Sequence, residues 1–134
     1  MTPEEELQKL IYDRLTAYAS LTALVSTRIY DIPPQNTAFP YVSFGPSSQI
    51  EDDAECIIGS EHTFQIDVWS RYQGGYLECK QITGQIKKAL HLFAGSMTDN
   101  ALVELRVESV RHMRDPDGMT SHGVVILQAI IEEA

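Results

Sequence analysis

The chain has 134 residues, of which 43% are hydrophobic and 22% are charged. This length and composition are typical of one folded domain with a sizeable core, so we expect residues 1–134 to form a single domain and exclude a disordered chain. No apolar run approaches the roughly 20 residues that a membrane-spanning helix needs. The acidic N-terminus lacks the features of a signal peptide, so we expect a protein that stays in the cytoplasm where it is made, with no membrane partner.

The net charge is −9, from 10 Lys and Arg against 19 Asp and Glu, and it is unevenly placed. Residues 29–70 contain no Lys or Arg but seven acids, which are Asp31, Glu51, Asp52, Asp53, Glu55, Glu61 and Asp67. An acidic surface repels phosphate groups, which argues against direct binding of nucleic acid. Two interpretations of this stretch stay open. It is either a solvated loop that keeps the chain soluble, or an electrostatic face that meets a partner or lines a channel for DNA.

The first predicted element is an amphipathic helix. Thr2 is placed to cap it, Pro3 suits its first position, and Glu5 falls where a capping box places its carboxylate. Apolar residues then recur at steps of three and four, at Leu7, Leu10, Ile11, Leu15 and Tyr18. After Ser20, the apolar residues Leu21, Leu24 and Val25 predict a short further turn that packs against the same core.

Extended structure is predicted after this helix. Residues 28–30 form a short strand, prolines interrupt the chain, and a second strand runs from Tyr41 to Gly45. Residues 46–60 are rich in Ser, Asp and Glu, and are predicted to be a long hairpin tip or a mobile loop. We expect this segment to be mobile in the free chain and to become ordered on assembly, because its three isoleucines have no local partner.

A third strand is predicted from Glu61 to Ser70, because apolar side chains alternate along it. A second helix follows from about Tyr76 to Leu92, with a buried face of period 3.6. Gly84 inside this helix is expected to mark a close approach between helix and sheet.

Two long strands, at about 102–113 and 121–132, close the chain. The turn between them, Asp115-Pro116-Asp117-Gly118, predicts a hairpin. The last strand is apolar on both faces for much of its length, so we expect it to be central in the sheet or covered on both sides. The predicted fold class is therefore α+β: an antiparallel sheet of about four to five strands with two helices packed on one face, in the order α-β-β-β-α-β-β.

Residue patterns that carry chemistry are missing from the sequence. The four histidines are at least ten positions apart, and neither Cys56 nor Cys79 has a second Cys or a His at zinc-ligand spacing. We expect both cysteines to be free thiols, with Cys79 packed as a small hydrophobe. Asp115 and Asp117 resemble a calcium loop only superficially, because the twelfth position is Ile126 and not Glu. The sequence therefore predicts no catalytic residue, no cofactor and no metal, and thus no enzyme.

Several short blocks nevertheless form a recognisable series. In chain order they are Arg28-Ile29-Tyr30-Asp31, Pro40-Tyr41-Val42, Val68-Trp69-Ser70-Arg71 followed by glycine and a helix, and the Asp115–Gly118 turn. No block is specific alone, but their order and spacing cover nearly the whole chain. In this respect the chain resembles the tail-completion, or tail-terminator, proteins of long-tailed bacteriophages and related prophages.

The resemblance implies a structural virion protein that closes the head-proximal end of the tail tube as a ring, expected to be a hexamer. It would end tail polymerisation and provide the surface that joins the head. The implied partners are further copies of the chain, the major tail-tube protein and the head–tail connector, and DNA would pass through the ring without specific binding. The protein would be assembled in the bacterial cytoplasm and reside in the virion.

Two alternatives stay open beside this role. One is a head–tail adaptor or minor tail protein, and the other is a small-molecule-binding or enzymatic α+β domain with a cleft between the acidic loop and the last hairpin. Trp69 lies on the polar face of its strand and is either packed under a loop or an interface anchor. The candidate interface residues are Ile50, Glu51, Asp52, Asp53, Glu55, Ile57, Ile58, Trp69, Arg71, Tyr72, Arg114, Asp115 and Asp117.

Overall fold

The computed structural model describes residues 1–54, 56–71 and 75–134. Within these residues it contains three helices and five strands. The helices are α1 (Pro3–Ala17), α2 (Ala19–Val25) and α3 (Leu77–Leu90). The strands are β1 (Ile29–Tyr30), β2 (Tyr41–Glu51), β3 (Gly59–Ser70), β4 (Ala101–Arg114) and β5 (Ser121–Glu132). The predicted α+β class is confirmed.

All five strands form one sheet in the order β1-β2-β3-β5-β4. The β2–β3, β3–β5 and β5–β4 pairs are antiparallel, and β5 lies inside the sheet, as its two apolar faces predicted. The prediction of a purely antiparallel sheet is wrong at one edge, because β1 pairs parallel to β2 through Ile29 and Val42. Residues 31–40 carry the chain back, so that β2 starts beside β1 and runs in the same direction.

The first helix begins as its sequence predicted. The Thr2 hydroxyl accepts a hydrogen bond from the Glu5 amide (3.2 Å) and donates one to the Glu5 carboxylate (3.0 Å). The helix ends at Ala17, because Tyr18 is extended with ψ of 102°. The predicted further turn is a separate helix, α2, and the structure thus has three helices where the sequence indicated two.

The helices cover one face of the sheet, and the hydrophobic core lies between the helices and that face. Alternate residues of β3 and β5 point into it, so Phe64, Ile66 and Val68 meet Leu127, Val125 and Gly123 across the register. The largest side chains buried there come from both layers and include Leu7, Ile11, Leu15, Leu21, Ile66, Ile82, Ile86, Leu90, Leu105, Leu127 and Ile131. The opposite face of the sheet carries Trp69, Asp67 and His122 on neighbouring strands.

The close approach of α3 to the sheet is at Gly123, and not at Gly84 as expected. A Cβ built on Gly123 would lie 2.7 Å from Thr83 Cγ2 and 2.9 Å from Cys79 Sγ, so a side chain does not fit there. Gly84 is exposed, and outside its chain neighbours and the adjacent backbone of α3 no described residue lies within 4 Å of the position of its Cβ. The expectation for Gly84 was wrong because it lies on the solvent side of α3.

The segment 46–60 is mainly paired strand, and the two strands form a long hairpin. β2 continues to Glu51, with a register shift between Phe44 and Ser47, and Glu51 pairs with Ser60. Of the two alternatives predicted for this segment, the structure therefore forms the hairpin, and the bulge lets the strand continue past Pro46. The connection itself is residues 52–58, of which Glu55 lies outside the described residues.

Candidate interaction surfaces

The predicted interface residues divide into two groups at opposite ends of β3. Twelve residues of strand separate these ends by about 37 Å. One group, which we call the hairpin tip, consists of Ile50, Glu51, Asp52, Asp53, Ile57 and Ile58. The other, the turn-end group, consists of Trp69, Arg71, Arg114, Asp115 and Asp117. Two further candidates, Glu55 and Tyr72, lie outside the described residues.

The hairpin tip combines exposed apolar and acidic side chains. Ile50, Ile57 and Ile58 are 64%, 45% and 55% exposed. Of the three acids, Glu51 accepts a hydrogen bond from the Gln49 amide (2.7 Å), and Asp53 accepts one from the backbone N–H of Gly59 (3.3 Å). Among the described residues no Lys or Arg forms a salt bridge with the tip. The tip is therefore a negatively charged surface with uncovered apolar groups.

Arg71 connects the elements of the turn end. Its Nε donates to the Thr120 hydroxyl (2.9 Å), its Nη2 lies 3.5 Å from Asp117 Oδ2, and its guanidinium lies 4.2 Å from the centre of the Phe39 ring. These contacts join the end of β3 to the β4–β5 turn and to the loop before β2. The structure thus brings together Arg71 and Asp117, which the sequence had proposed separately.

Asp117 organises the β4–β5 turn. It accepts hydrogen bonds from the Thr120 hydroxyl (2.7 Å) and from the backbone N–H groups of Thr120 and Met119 (both 2.9 Å). These bonds, with a smaller contribution from Arg71, lower the pKa of Asp117 to about 2. Beside it, the Asp115 carbonyl accepts from the Gly118 amide (3.0 Å). The Asp117 carboxylate and the Asp115 backbone carbonyl therefore both help to hold the turn.

Trp69 lies in a row of rings on the face of the sheet away from the helices. It stacks on His122 (3.9 Å between ring centres, 11° between planes) and on Tyr41 (6.3 Å, 25°). Its indole N–H donates to the Ser43 hydroxyl (3.0 Å). The His122 ring in turn lies 2.7 Å from the Asp67 carboxylate. Within the described residues, these contacts of Trp69 come from the neighbouring strands β2 and β5.

The remaining turn-end candidate, Arg114, stacks on Tyr76, the residue just before α3. Its guanidinium lies 4.6 Å from the centre of the Tyr76 ring. With Arg71 on Phe39, both arginines of this end are thus engaged with aromatic rings of their own chain. Such contacts place each positive charge on a defined part of the surface.

The other histidines and the buried cysteine serve the fold. His62 is buried and hydrogen bonded to the Ser60 hydroxyl (2.8 Å), and burial lowers the pKa of the His62 ring. Burial, helped by Lys80, likewise lowers the pKa of the His112 ring, which contacts Thr83 (2.9 Å). Burial raises the pKa of the Cys79 thiol to about 11, so Cys79 is packed as expected.

Within residues 1–54, 56–71 and 75–134, no three His, Cys, Asp or Glu side chains are grouped so that they could hold a metal ion. None of the helices in these ranges has the length and apolarity to cross a membrane. The acidic loop lies beside the end of β5, where the Glu133 amide donates to the Ile58 carbonyl (2.7 Å), whereas the turn of the last hairpin lies at the opposite end of β3.

Sequence reasoning missed several residues that complete these surfaces. The sequence does not indicate the long-range contacts of Phe39 and Thr120 with Arg71, or of His122 with Trp69, because these partners are 32, 49 and 53 positions away along the chain. The exposed face of α3 was also missed. Its lysines, Lys80, Lys87 and Lys88, stand on the side opposite the buried face, and that periodicity is visible in the sequence.

Comparison with known proteins finds a matching family and similar solved structures. A family model described as tail completion protein gp17 matches residues 9–132. A chain in the virion of a native gene transfer agent particle is 26% identical, with a TM-score of 0.89, and the alignment covers 96% of both chains. The gp17 protein of bacteriophage SPP1 shares the fold, with 22% identity, a TM-score of 0.59, and coverage of 93% of this chain and 88% of that one. No curated protein sequence matches.

Proposed function

The chain belongs to the tail completion protein gp17 family, and on this premise we propose that it closes the head-proximal end of a phage-type tail tube as a ring of six copies. The family is one of structural phage tail proteins and not of enzymes, so a structural role in the virion is established at that level. The proposal adds the position on the tail, the ring and its size. In this position the ring ends tail polymerisation and presents a surface to the head.

The observation that carries the proposal is the family match over residues 9–132. It is supported by the related virion chain, which aligns with 96% of this chain and shares its fold at a TM-score of 0.89. Because the match spans all eight elements except the first turns of α1, we propose that residues 1–134 act as one domain.

The distribution of surfaces is also what a ring subunit requires. A subunit that contacts two neighbours in a ring uses two different patches, and a subunit between a tube and a connector adds two more. The hairpin tip and the turn-end group are chemically different and are separated by about 37 Å along β3. We propose that the partners are further copies of this chain, the major tail-tube protein and the head–tail connector, and that the candidate residues of both groups lie in these interfaces.

The charge of the chain fits a ring through which DNA passes. With a net charge of −9 and no Lys or Arg in residues 29–70, a surface formed by this stretch repels phosphate groups. DNA would therefore move through the lumen without being retained. We further propose that the chain has no catalytic activity and requires no cofactor, and that assembly takes place in the bacterial cytoplasm before the tail joins the head.

Electron microscopy of particles made with and without the gene tests this function. Without the protein we expect tails of uncontrolled length that fail to join heads, and with it a ring at the head-proximal end. Normal tail length together with normal head joining in its absence would overturn the proposal. Density at the head side of the connector, and not at the tube end, would favour an adaptor instead.

A further inference from the structure

Gly84 lies in the middle of α3, on the side of the helix that faces solvent. Glycine at an exposed position inside a helix is unfavourable relative to alanine. Apart from its two chain neighbours and the adjacent backbone of α3, no described residue lies within 4 Å of the place where its Cβ would stand, so packing within the chain does not require a glycine. Glycine lets another backbone approach closely. Its position therefore points to a surface that receives another molecule.

Five exposed side chains surround Gly84 on this face. At 3.6 residues per turn, they all lie within about 60° of Gly84 around the helix axis. We call this set the helix stripe, and it consists of Leu77, Lys80, Gln81, Gly84, Lys87 and Lys88. Leu77 is 66% exposed, so the stripe offers an apolar group as well as charge. The buried residues of α3 lie on the opposite side.

The lysines of the helix stripe keep their charge available. In the described part of the chain, none of the three forms a salt bridge. Lys80 lies 5.6 Å from the centre of the Tyr76 ring, and the nearest acid in sequence, Glu78, accepts a hydrogen bond from the Ser70 hydroxyl (2.7 Å). The stripe is therefore a positively charged surface on a chain whose net charge is negative.

The hairpin tip is chemically complementary to the helix stripe. The tip has three exposed carboxylates, and the stripe has three ammonium groups that can pair with them. The tip also has exposed isoleucines, and the stripe offers the apolar Leu77 and open space above Gly84. The arginines of the turn end are weaker candidates to receive it. Arg71 already lies beside Asp117, and Arg114 is stacked on Tyr76.

We propose that the hairpin tip of one copy docks on the helix stripe of the next copy. The tip carboxylates pair with Lys80, Lys87 and Lys88, and the Ile57–Ile58 edge lies against Leu77 and over Gly84. Because the tip and the stripe are different patches of the same chain, each copy gives one contact and receives another, and such head-to-tail contacts form a ring when the rotation between copies closes. The inference deepens the proposed function and rests on it, since it names the contact that holds the ring together.

Charge reversal with rescue tests the pairing. Particles are made with Lys80→Glu/Lys87→Glu/Lys88→Glu, with Glu51→Lys/Asp52→Lys/Asp53→Lys, and with both sets combined. We expect each set alone to reduce particle yield roughly tenfold or more, because like charges then face each other, and the combined chain to recover yield. Lys9→Gln, on α1, is the control for an exposed helix lysine outside the stripe; it removes the Lys9–Asp13 ion pair (2.5 Å) without adding a negative charge and is expected to leave the yield unchanged. Circular dichroism of each purified variant confirms that it is folded.

The exposed native thiol of Cys56 allows a direct test, because it lies in the connection at the hairpin tip. Gln81→Cys places a second thiol on the helix stripe, and mild oxidation of assembled particles should then link copies into a ladder of covalent oligomers. Gln81→Cys/Cys56→Ser should give no ladder, and Ser20→Cys, with a thiol on exposed α2, should give none either. Hydrogen exchange at residues 52–58 should also slow in particles relative to the free chain.

The outcomes separate the two proposals. Normal particles from the charge-reversed chains, or particles of the Gln81→Cys chain without a ladder, would overturn the docking contact and leave the tail-end function standing. The docking contact would also be overturned if each charge-reversed chain is folded but the chain with both sets combined does not recover particle yield. A Cys56 cross-link to a different protein would overturn it as well. Normal tails and head joining in the absence of the gene would overturn the function itself.

Discussion

The carboxylate of Glu6 accepts hydrogen bonds from both the backbone N–H (2.8 Å) and the side-chain amide (2.9 Å) of Asn100, 94 positions away. The same carboxylate accepts from the backbone N–H groups of Thr98 and Asp99. Glu6 is almost completely buried, so this cluster fastens the first helix to the chain just before β4. One side chain of α1 thus satisfies three consecutive amides that belong to no strand or helix.

Glu6→Gln is expected to destabilise the chain. Burial raises the pKa of the Glu6 carboxyl, but hydrogen bonds from Asp99, Thr98 and Asn100 outweigh it and lower the pKa overall. A neutral amide accepts through one oxygen and places N–H groups against donors, so part of the cluster is lost. Urea denaturation should show a lower midpoint for Glu6→Gln. Glu4→Gln, two residues earlier and exposed, should match the wild type, and equal midpoints for all three chains would refute the prediction.

Two glycine substitutions should change the stability of the chain in opposite directions. Gly84→Ala should stabilise the free chain by about 1 kcal/mol, because an exposed helical glycine gains helix propensity without a clash. Gly123→Ala should destabilise it by about 1–3 kcal/mol, because the added Cβ meets Thr83 and Cys79 where α3 packs on β5. Thermal unfolding of both purified variants measures the difference. A destabilised Gly84→Ala chain would mean that the surface of α3 is packed against something within the chain.

The contribution of Asp117 to stability should depend on pH. Its pKa is lowered from the ordinary value of 3.8 to about 2, so the folded state favours the ionised form. That stabilisation is complete above the ordinary value and is lost as the pH falls from about 4 towards 2. Asp117→Asn should therefore be less stable than the wild type at pH 6, and the difference should shrink at pH 3. A difference that stays constant between these two pH values would contradict the assignment.

Core and tip isoleucines should respond differently to truncation. Ile66→Ala removes a fully buried side chain and should cost about 2–5 kcal/mol of unfolding free energy. Ile58→Ala removes a side chain that is 55% exposed, and should change the stability of the free chain by no more than about 0.5 kcal/mol. Denaturant melts measure both values, and particle yield provides the second readout. Ile58→Ala should lower yield although the free chain is as stable as the wild type, and a large loss of stability would place Ile58 in the core instead.

Duplex DNA should bind weakly or not at all at physiological salt. Binding without sequence specificity requires a basic surface that releases counterions, and residues 29–70 offer only acids. Fluorescence anisotropy with a labelled duplex measures this, and chains with Lys80, Lys87 and Lys88 reversed to Glu provide the control for the helix stripe. Micromolar, salt-dependent binding by the wild-type chain would contradict a lumen that lets DNA pass.

The sequence alone was sufficient for most of the elements and for the family. The helix α1 could be read from Thr2, Pro3 and the apolar period because its cap and its stripe are local features within a few residues. The central position of β5 followed from apolar side chains on both of its faces, since only an inner strand buries both. The family likewise followed from blocks whose order along the chain is itself sequence information.

Only the tertiary structure showed the features that depend on contacts between residues far apart in the chain. The parallel pairing of β1 with β2, the division of the interface candidates between two ends of β3, and the contact of Arg71 with Phe39 and Thr120 all join residues far apart in the chain. Gly84 and Gly123 show the reason most clearly. A glycine in the sequence shows that a side chain is missing, but only the packing of α3 on β5 shows that Gly123 has no room for one and that Gly84 does.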